Sequence, residues 1–325
     1  MKYVELGNTG IIVSKICIGG MSFGEASADF HEWTLNQAET TKMIKEAYNL
    51  GVNFIDTANC YSHGTSEKYI GNAIKELNIP RDKIVIASKV YFNEGKLSSD
   101  AIKKEIDKTL NNLQTDYLDL YQIHRFDYDT PMEEVMTTLN ELVKCGKVRA
   151  IGASAMYGYQ FHNMQNIAEK YGLTLFSTMQ NHYNLLYRED ERELIPICKQ
   201  YNVSLIPYSP LAGGHLTHLG WESTSLRGQT DKTLKKKYDK DMENGLLIVN
   251  RVNELARKYN ASMAQIALAW VFKKGIASAI VGATKLNHFI DACMAVDLNL
   301  SDDDSVYLEE LYTHKCIVGA LPEGK

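Results

Sequence analysis

The chain has 325 residues and a formal net charge of −5, with 45% hydrophobic and 23% charged residues. Those proportions suit a folded globular protein and argue against disorder, and neither the net charge nor the scatter of Lys and Arg offers an electrostatic footprint for nucleic acid. No apolar run approaches the ~18 residues of a membrane span, and the amino terminus lacks the basic segment and apolar core of a signal peptide.

The opening KYVELGNTGIIVSKI reads as a hairpin turning at Gly7, Asn8 and Gly10, suited to plugging one end of a barrel. Strand candidates follow near 15–19, 53–56, 84–89, 117–123, 148–154, 175–180, 203–208 and 278–281, nearly all succeeded by helical segments. One unit recurs: an amphipathic helix, a Gly or Asn stop, then a short apolar strand. It stands as AYNLG-VNFID, ELVKCG-KVRAIGAS, AEKYG-LTLFSTMQ and ICKQYN-VSLIPYS. Gly51, Gly146, Gly172 and Asn202 sit where a helix needs a left-handed residue to terminate. The helix from Ser99 carries Ile102, Ile106, Leu110 and Leu113 on one face. The next is expected to be capped by Thr130, with Pro131 in its first position and Glu133 completing a capping box.

Alternating strands and helices imply parallel strands, because each return needs a crossover. Eight such units predict an α/β fold, a closed (β/α)8 barrel formed by a single domain over 1–325. A doubly wound open sheet is the weaker alternative, since IGGMSFG lacks GxGxxG spacing after the first strand. Residues 212–245 read as a long polar loop, and Lys235, Lys236 and Lys237 as a solvated part of it. The cysteines, Cys17, Cys60, Cys145, Cys198, Cys293 and Cys316, form no CxxC pair and read as free thiols in a reducing cytoplasm. Cys60, beside Tyr61, is either a buried filler or an oxidation-sensitive thiol near the site.

Asp56, Lys89 and His124 each close a strand-like run (GVNFID, KIVIASK, YLDLYQIH), and Tyr61 lies in the loop after the first. Barrel active sites occupy the carboxyl ends of the strands. A phenol is a weak acid at neutral pH, and a neighbouring ammonium stabilises its anion. Lys89 can supply that charge and Asp56 can hold Lys89. His124 can donate a hydrogen bond to a carbonyl oxygen as charge develops on it, and Tyr61 can protonate that oxygen. None of the four supplies a hydride, which calls for a nicotinamide cofactor.

The segment GVNFIDTANCYSHGTSEKYIG resembles the first signature of the aldo-keto reductases, and ASK at 87–89 and LYQIHR at 120–125 resemble the family's Lys and His segments. The strings HRFDYDTP, IGASAM and YSPLAGGHLT are similar to those of a bacterial aryl-alcohol-dehydrogenase-like branch. The resemblance spans nearly the whole chain. It implies the (β/α)8 fold, hydride transfer from NADPH to an aldehyde or ketone, and Tyr61 as proton donor supported by Asp56, Lys89 and His124. It further implies nicotinamide contacts at Ser154 and Gln180, with Ala155 where the family often has Asn. Tyr208, after strand seven, can stack on the nicotinamide. Ser209, Leu211, Gly213 and Gly214 offer backbone to a pyrophosphate, with Arg227 adding charge. Gly282, Thr284 and Lys285 match the adenosine-phosphate segment, and His288 stands where many relatives have Arg; Lys285 favours NADPH over NADH.

The small-molecule carbonyl substrate is expected to meet Met21, Phe23, Trp33, Tyr91, Phe92, Phe126 and Tyr157, an aromatic lining suited to a flat or apolar compound. Arg125 reads either as one half of a structural ion pair or as a contact for an anionic substrate group. Two other functions fit less well. One is a metal-dependent barrel hydrolase with Asp56, His63 and His124 as ligands, although the sequence lacks HxH pairing on a strand; no metal is expected. The other is a non-catalytic nucleotide binder, which an intact tetrad disfavours. No oligomeric state can be read from the sequence.

Overall fold

The computed structural model describes residues 1–27, 30–222, 226–231 and 236–314, with only the backbone of Arg227. Cys316 and Lys235 lie outside the described residues. The predicted hairpin is present: β1 (Tyr3–Glu5) pairs antiparallel with β2 (Ile12–Ser14). The eight predicted strands follow as β3 (Ile16–Gly19), β4 (Phe54–Asp56), β5 (Val85–Val90), β6 (Leu118–Ile123), β7 (Val148–Ser154), β8 (Phe176–Gln180), β9 (Ser204–Leu205) and β10 (Ala279–Val281). They pair in parallel and in sequence from β3 to β9, with β10 beside β3. Two backbone bonds close the ring: Ala277 N–H donates to Leu205 O at 3.0 Å and Ile280 N–H to Pro207 O at 3.1 Å. The fold is a (β/α)8 barrel.

β9 is shorter than its apolar run, because Pro207 has no N–H to give the ladder. The backbone stays alongside β8 regardless, since Tyr208 N–H donates to Asn181 O at 2.9 Å.

The helices α1 (Gln37–Asn49), α2 (Thr65–Glu76), α3 (Ser99–Leu113), α4 (Met132–Lys144), α5 (Gly158–Tyr171) and α6 (Leu194–Gln200) lie between successive strands. The stop residues behave as read, with φ of +84° at Gly51, +80° at Gly146, +62° at Gly172 and +53° at Asn202. The expected cap of α4 is a correction. The helix begins one residue later, and the Thr130 hydroxyl donates to Asp127 Oδ2 at 2.7 Å instead of capping. That local bond competes with the helix terminus for the hydroxyl.

Two apolar layers result. The larger lies between strands and helices. The smaller fills the barrel, where Leu6, Ile11 and Val13 of the hairpin meet Cys17, Phe54, Val85, Leu120, Ala150 and Ile206. The hairpin therefore plugs the end opposite the strands' carboxyl termini, as expected. Residues 212–245 depart from the reading as a polar loop: Leu216 and Tyr238 are fully buried, and the helix Met242–Tyr259 begins inside the stretch. No helix of the described residues is long and apolar enough to cross a membrane.

Candidate active site

Asp56, Lys89 and His124 come together because each ends a strand at the same rim. The Lys89 ammonium is wholly buried and paired with Asp56. It also donates to Thr57 O at 2.7 Å and to the Tyr61 hydroxyl at 3.4 Å. The second carboxylate oxygen of Asp56 accepts from Gln122 Nε2 at 2.8 Å and Gln180 Nε2 at 3.0 Å. Asp56 thus fixes the ammonium, and two amides fix Asp56. The His124 ring stands edge-on to Tyr61, 5.8 Å between centroids at 82°. Its Nδ1 lies 3.9 Å from Cys60 Sγ.

Burial and charge set the protonation states. Burial pushes the Tyr61 phenol above its ordinary value and outweighs the opposing pull of Lys89. The expected depression by Lys89 is therefore present but is not the larger effect. Burial alone would lower Lys89, but Asp56 and Tyr61 reverse the sign and keep it an ammonium. Burial, then Lys89 and Arg125, hold His124 well below the usual imidazole range, so it is neutral at pH 7. Cys60 is pushed up to about 11 by burial and stays a thiol. The site holds a neutral acid, a fixed cation and a neutral imidazole, which suits donation to a developing oxyanion.

Tyr61 is aimed by a tight turn. Ser62 and His63 take left-handed backbone at φ +44° and +55°, followed by Gly64 at +87°. The loop after β3 seats on this turn, with Glu25 N–H donating to Thr65 Oγ1 at 2.9 Å. Gly24, at φ +118°, permits that approach, because a Cβ there would meet Ser62 Cβ at 2.6 Å. Gly20 lets the end of β3 lie against Asp56, whose carbonyl would be 2.9 Å from an added Cβ.

The residues expected around a nicotinamide dinucleotide share this rim. Ser154 Oγ donates to the backbone carbonyl of Gln180 at 2.9 Å, and the Gln180 side-chain NH₂ is spent on Asp56 and Gln122, which leaves Gln180 Oε1 as an acceptor. Tyr208 lies parallel to His182, 5.1 Å between centroids and 7° apart. The Lys237 ammonium sits 4.9 Å from the Tyr208 ring centroid, which corrects its reading as plain solvated loop. Past Leu211, the backbone reverses hand at Ala212, Gly213 and Gly214, as it does at Ser209 (φ +49°, +66°, +116° and +53°). Such reversals make anion-binding concavities, and a Cβ on Gly214 would meet nothing within 4 Å. Gly282, Thr284, Lys285 and His288 are exposed around the start of the helix Leu286–Met294. This set fits a dinucleotide.

The expected substrate walls divide. Met21, Tyr91, Phe126 and Tyr157 are partly exposed. Phe23 is a correction, being 1% exposed and part of the main core, and Trp33 is buried against His31 at 4.5 Å. Phe92 is half exposed and stands edge-on to His124 at 5.0 Å. Sequence reasoning missed Phe30, whose ring lies 6.3 Å from Tyr61. It also missed Gln122, although a period of two backward from His124 marks Gln122 as facing the same interior.

The family model described as the aldo/keto reductase family matches residues 15–313. The chain belongs to the aldo/keto reductase family. An aldo-keto reductase of Fusarium vanettenii is 40% identical, with 98% of this chain and 93% of the relative covered. A Schizosaccharomyces pombe protein bearing an aryl-alcohol dehydrogenase description is 42% identical, with 98% of both covered. The versiconal hemiacetal acetate reductase of Aspergillus parasiticus is 40% identical, again with 98% of both covered. Among solved structures, a thermostable aldo-keto reductase in complex with the inhibitor epalrestat matches with a TM-score of 0.78 at 27% identity, covering 96% of this chain and all of that one. The three sequence relatives are fungal, so they lend no support to the expected bacterial branch. This aldo/keto reductase is an oxidoreductase that reduces carbonyl compounds.

Proposed function

We propose that this aldo/keto reductase uses NADPH, that Tyr61 is its proton donor, and that it acts in the cytoplasm as one unit over 1–325. The observation that carries the reading is the Lys89 ammonium, anchored by Asp56, 3.4 Å from the Tyr61 hydroxyl and beside a neutral His124. NADPH supplies the hydride when bound. Ser154 and Gln180 would hold its carboxamide, Tyr208 would lie against its ring, the 209–214 backbone would meet its pyrophosphate, and Thr284, Lys285 and His288 would meet its adenosine end. His124 orients the substrate carbonyl, and Tyr61 gives its proton to the carbonyl oxygen. Lys89 then stabilises the phenolate left behind.

A metal hydrolase fits these residues poorly. Asp56 is committed to an ammonium and two amides, and His63 is exposed in the turn. The aryl-alcohol dehydrogenase description of one relative makes aromatic aldehydes the first substrates to assay. Tyr61→Phe is expected to abolish turnover of such aldehydes while NADPH still binds, as read by fluorescence titration; normal turnover would remove Tyr61 from its role. Lys285→Ala is expected to weaken NADPH about tenfold or more and NADH little, since one lost charge-assisted contact costs roughly 1.5–3 kcal/mol. Equal weakening of both would count against a 2′-phosphate contact.

A further inference from the structure

Arg125 follows His124 directly and is half-buried at the rim. No acidic side chain among the described residues pairs with it. Among those residues its one hydrogen bond is local, from Nη1 to His124 O at 2.7 Å. The two nearest acids in sequence are engaged elsewhere: Asp129 with Lys96 at 2.6 Å, and Asp127 with Thr130 Oγ1 and Leu97 N–H. The guanidinium instead lies 5.6 Å from the Phe92 ring centroid, and Phe92 lies against His124. Its charge is felt by His124, Cys60, Tyr91 and Tyr208, which sit on four different segments around the opening. Through Phe92, which touches both groups, the guanidinium is held within reach of the His124 side of the opening.

Buried charges are normally paired, and a half-buried one beside a site mouth is open to a partner that displaces its water. A guanidinium presents a fork of donors matched to a carboxylate, and stacking on an aromatic face leaves that fork free. We propose that Arg125 is a substrate-recognition residue, selecting carbonyl compounds that carry a carboxylate at the end remote from the reacting carbonyl. This rests on the carbonyl-reductase reading of the site. Phe92 contacts both His124 and Arg125, so an aromatic ring set along Phe92 can bring its carbonyl to Tyr61 and His124 and its carboxylate to Arg125. The ion pair that the protein leaves open is completed by the substrate.

The test compares 4-carboxybenzaldehyde with methyl 4-formylbenzoate, its uncharged ester of similar shape, in the wild type, Arg125→Met and Arg125→Lys. Removing Arg125 also changes the field on His124, so the readout is the ratio of kcat/KM for the two substrates. The wild type is expected to prefer the carboxylate at least tenfold, mainly through KM. Arg125→Met should bring the ratio close to one, and Arg125→Lys should recover part of it, keeping charge without the fork. Equal use of both substrates by the wild type overturns the proposal, as does a preference that survives in Arg125→Met. An unchanged ratio with a raised KM for NADPH also overturns it and assigns Arg125 to the cofactor. If the wild type reduces neither aldehyde, the failure lies with the carbonyl-reductase reading, and Arg125 falls with it.

Discussion

Tyr61 stands under two opposed influences, burial that favours the phenol and Lys89 that favours the phenolate, and burial prevails. The pH behaviour follows from that sign. Reduction needs the protonated form, which a raised pKa preserves to higher pH. The other groups facing it do not intervene near neutrality: Cys60 stays a thiol, His124 stays neutral and Lys89 stays charged. In pH–rate profiles, kcat/KM for reduction is expected to hold level through neutral pH and decline only above the ordinary phenol value of about 10. Alcohol oxidation, which needs the phenolate, should rise over the same span. A reduction profile that falls below neutrality with Tyr61 as its source would contradict the assignment. Much of this site was legible because Asp56, Lys89 and His124 each interrupt an apolar run with a polar residue at its end. Gln122 was harder to see, since one amide inside a strand carries no signal until the strand's inward face is traced. Phe30 was invisible for another reason: its place near Tyr61 depends on how the loop after β3 folds back, which no period encodes.

The hairpin β1–β2 shows what an element can do far from the chemistry. Leu6, Ile11 and Val13 close the lower end of the barrel against Phe54, Val85 and Leu120. Deleting one such side chain leaves a cavity as well as losing its burial, at a cost of about 2–5 kcal/mol for Leu→Ala. Leu6→Ala is expected to lower stability in urea unfolding by an amount in that range, with kcat and KM unchanged. A change in kcat would mean that the plug and the rim communicate. The hairpin was readable from Gly7, Asn8 and Gly10 between two apolar alternations. The start of α4 was not, because Thr130 had two acceptable partners and tertiary context gave its hydroxyl to Asp127. The stretch 212–245 misled for the opposite reason. Its anchors, Leu216 and Tyr238, are too widely spaced to make a pattern, yet each is buried.

Across the whole molecule, the cylinder is stitched unevenly. β5, β6 and β7 run side by side along most of their length, from Ala87–Val90 through Leu120–Ile123 to Ala150–Ala153. On the far side, β9 has only Ser204 and Leu205 in register with β8, and two hydrogen bonds join its neighbourhood to β10. Local opening starts where backbone bonds are fewest. Deuterium should therefore reach the amides of Ala277 and Ile280 sooner than those of Tyr121 and Gln122. The thinly sewn flank is also the one that carries 208–214 and 282–288. Breathing there would widen the berth for a long two-headed nucleotide, while the ammonium of Lys89, mounted on the firmly laced half, keeps its place from one turnover to the next.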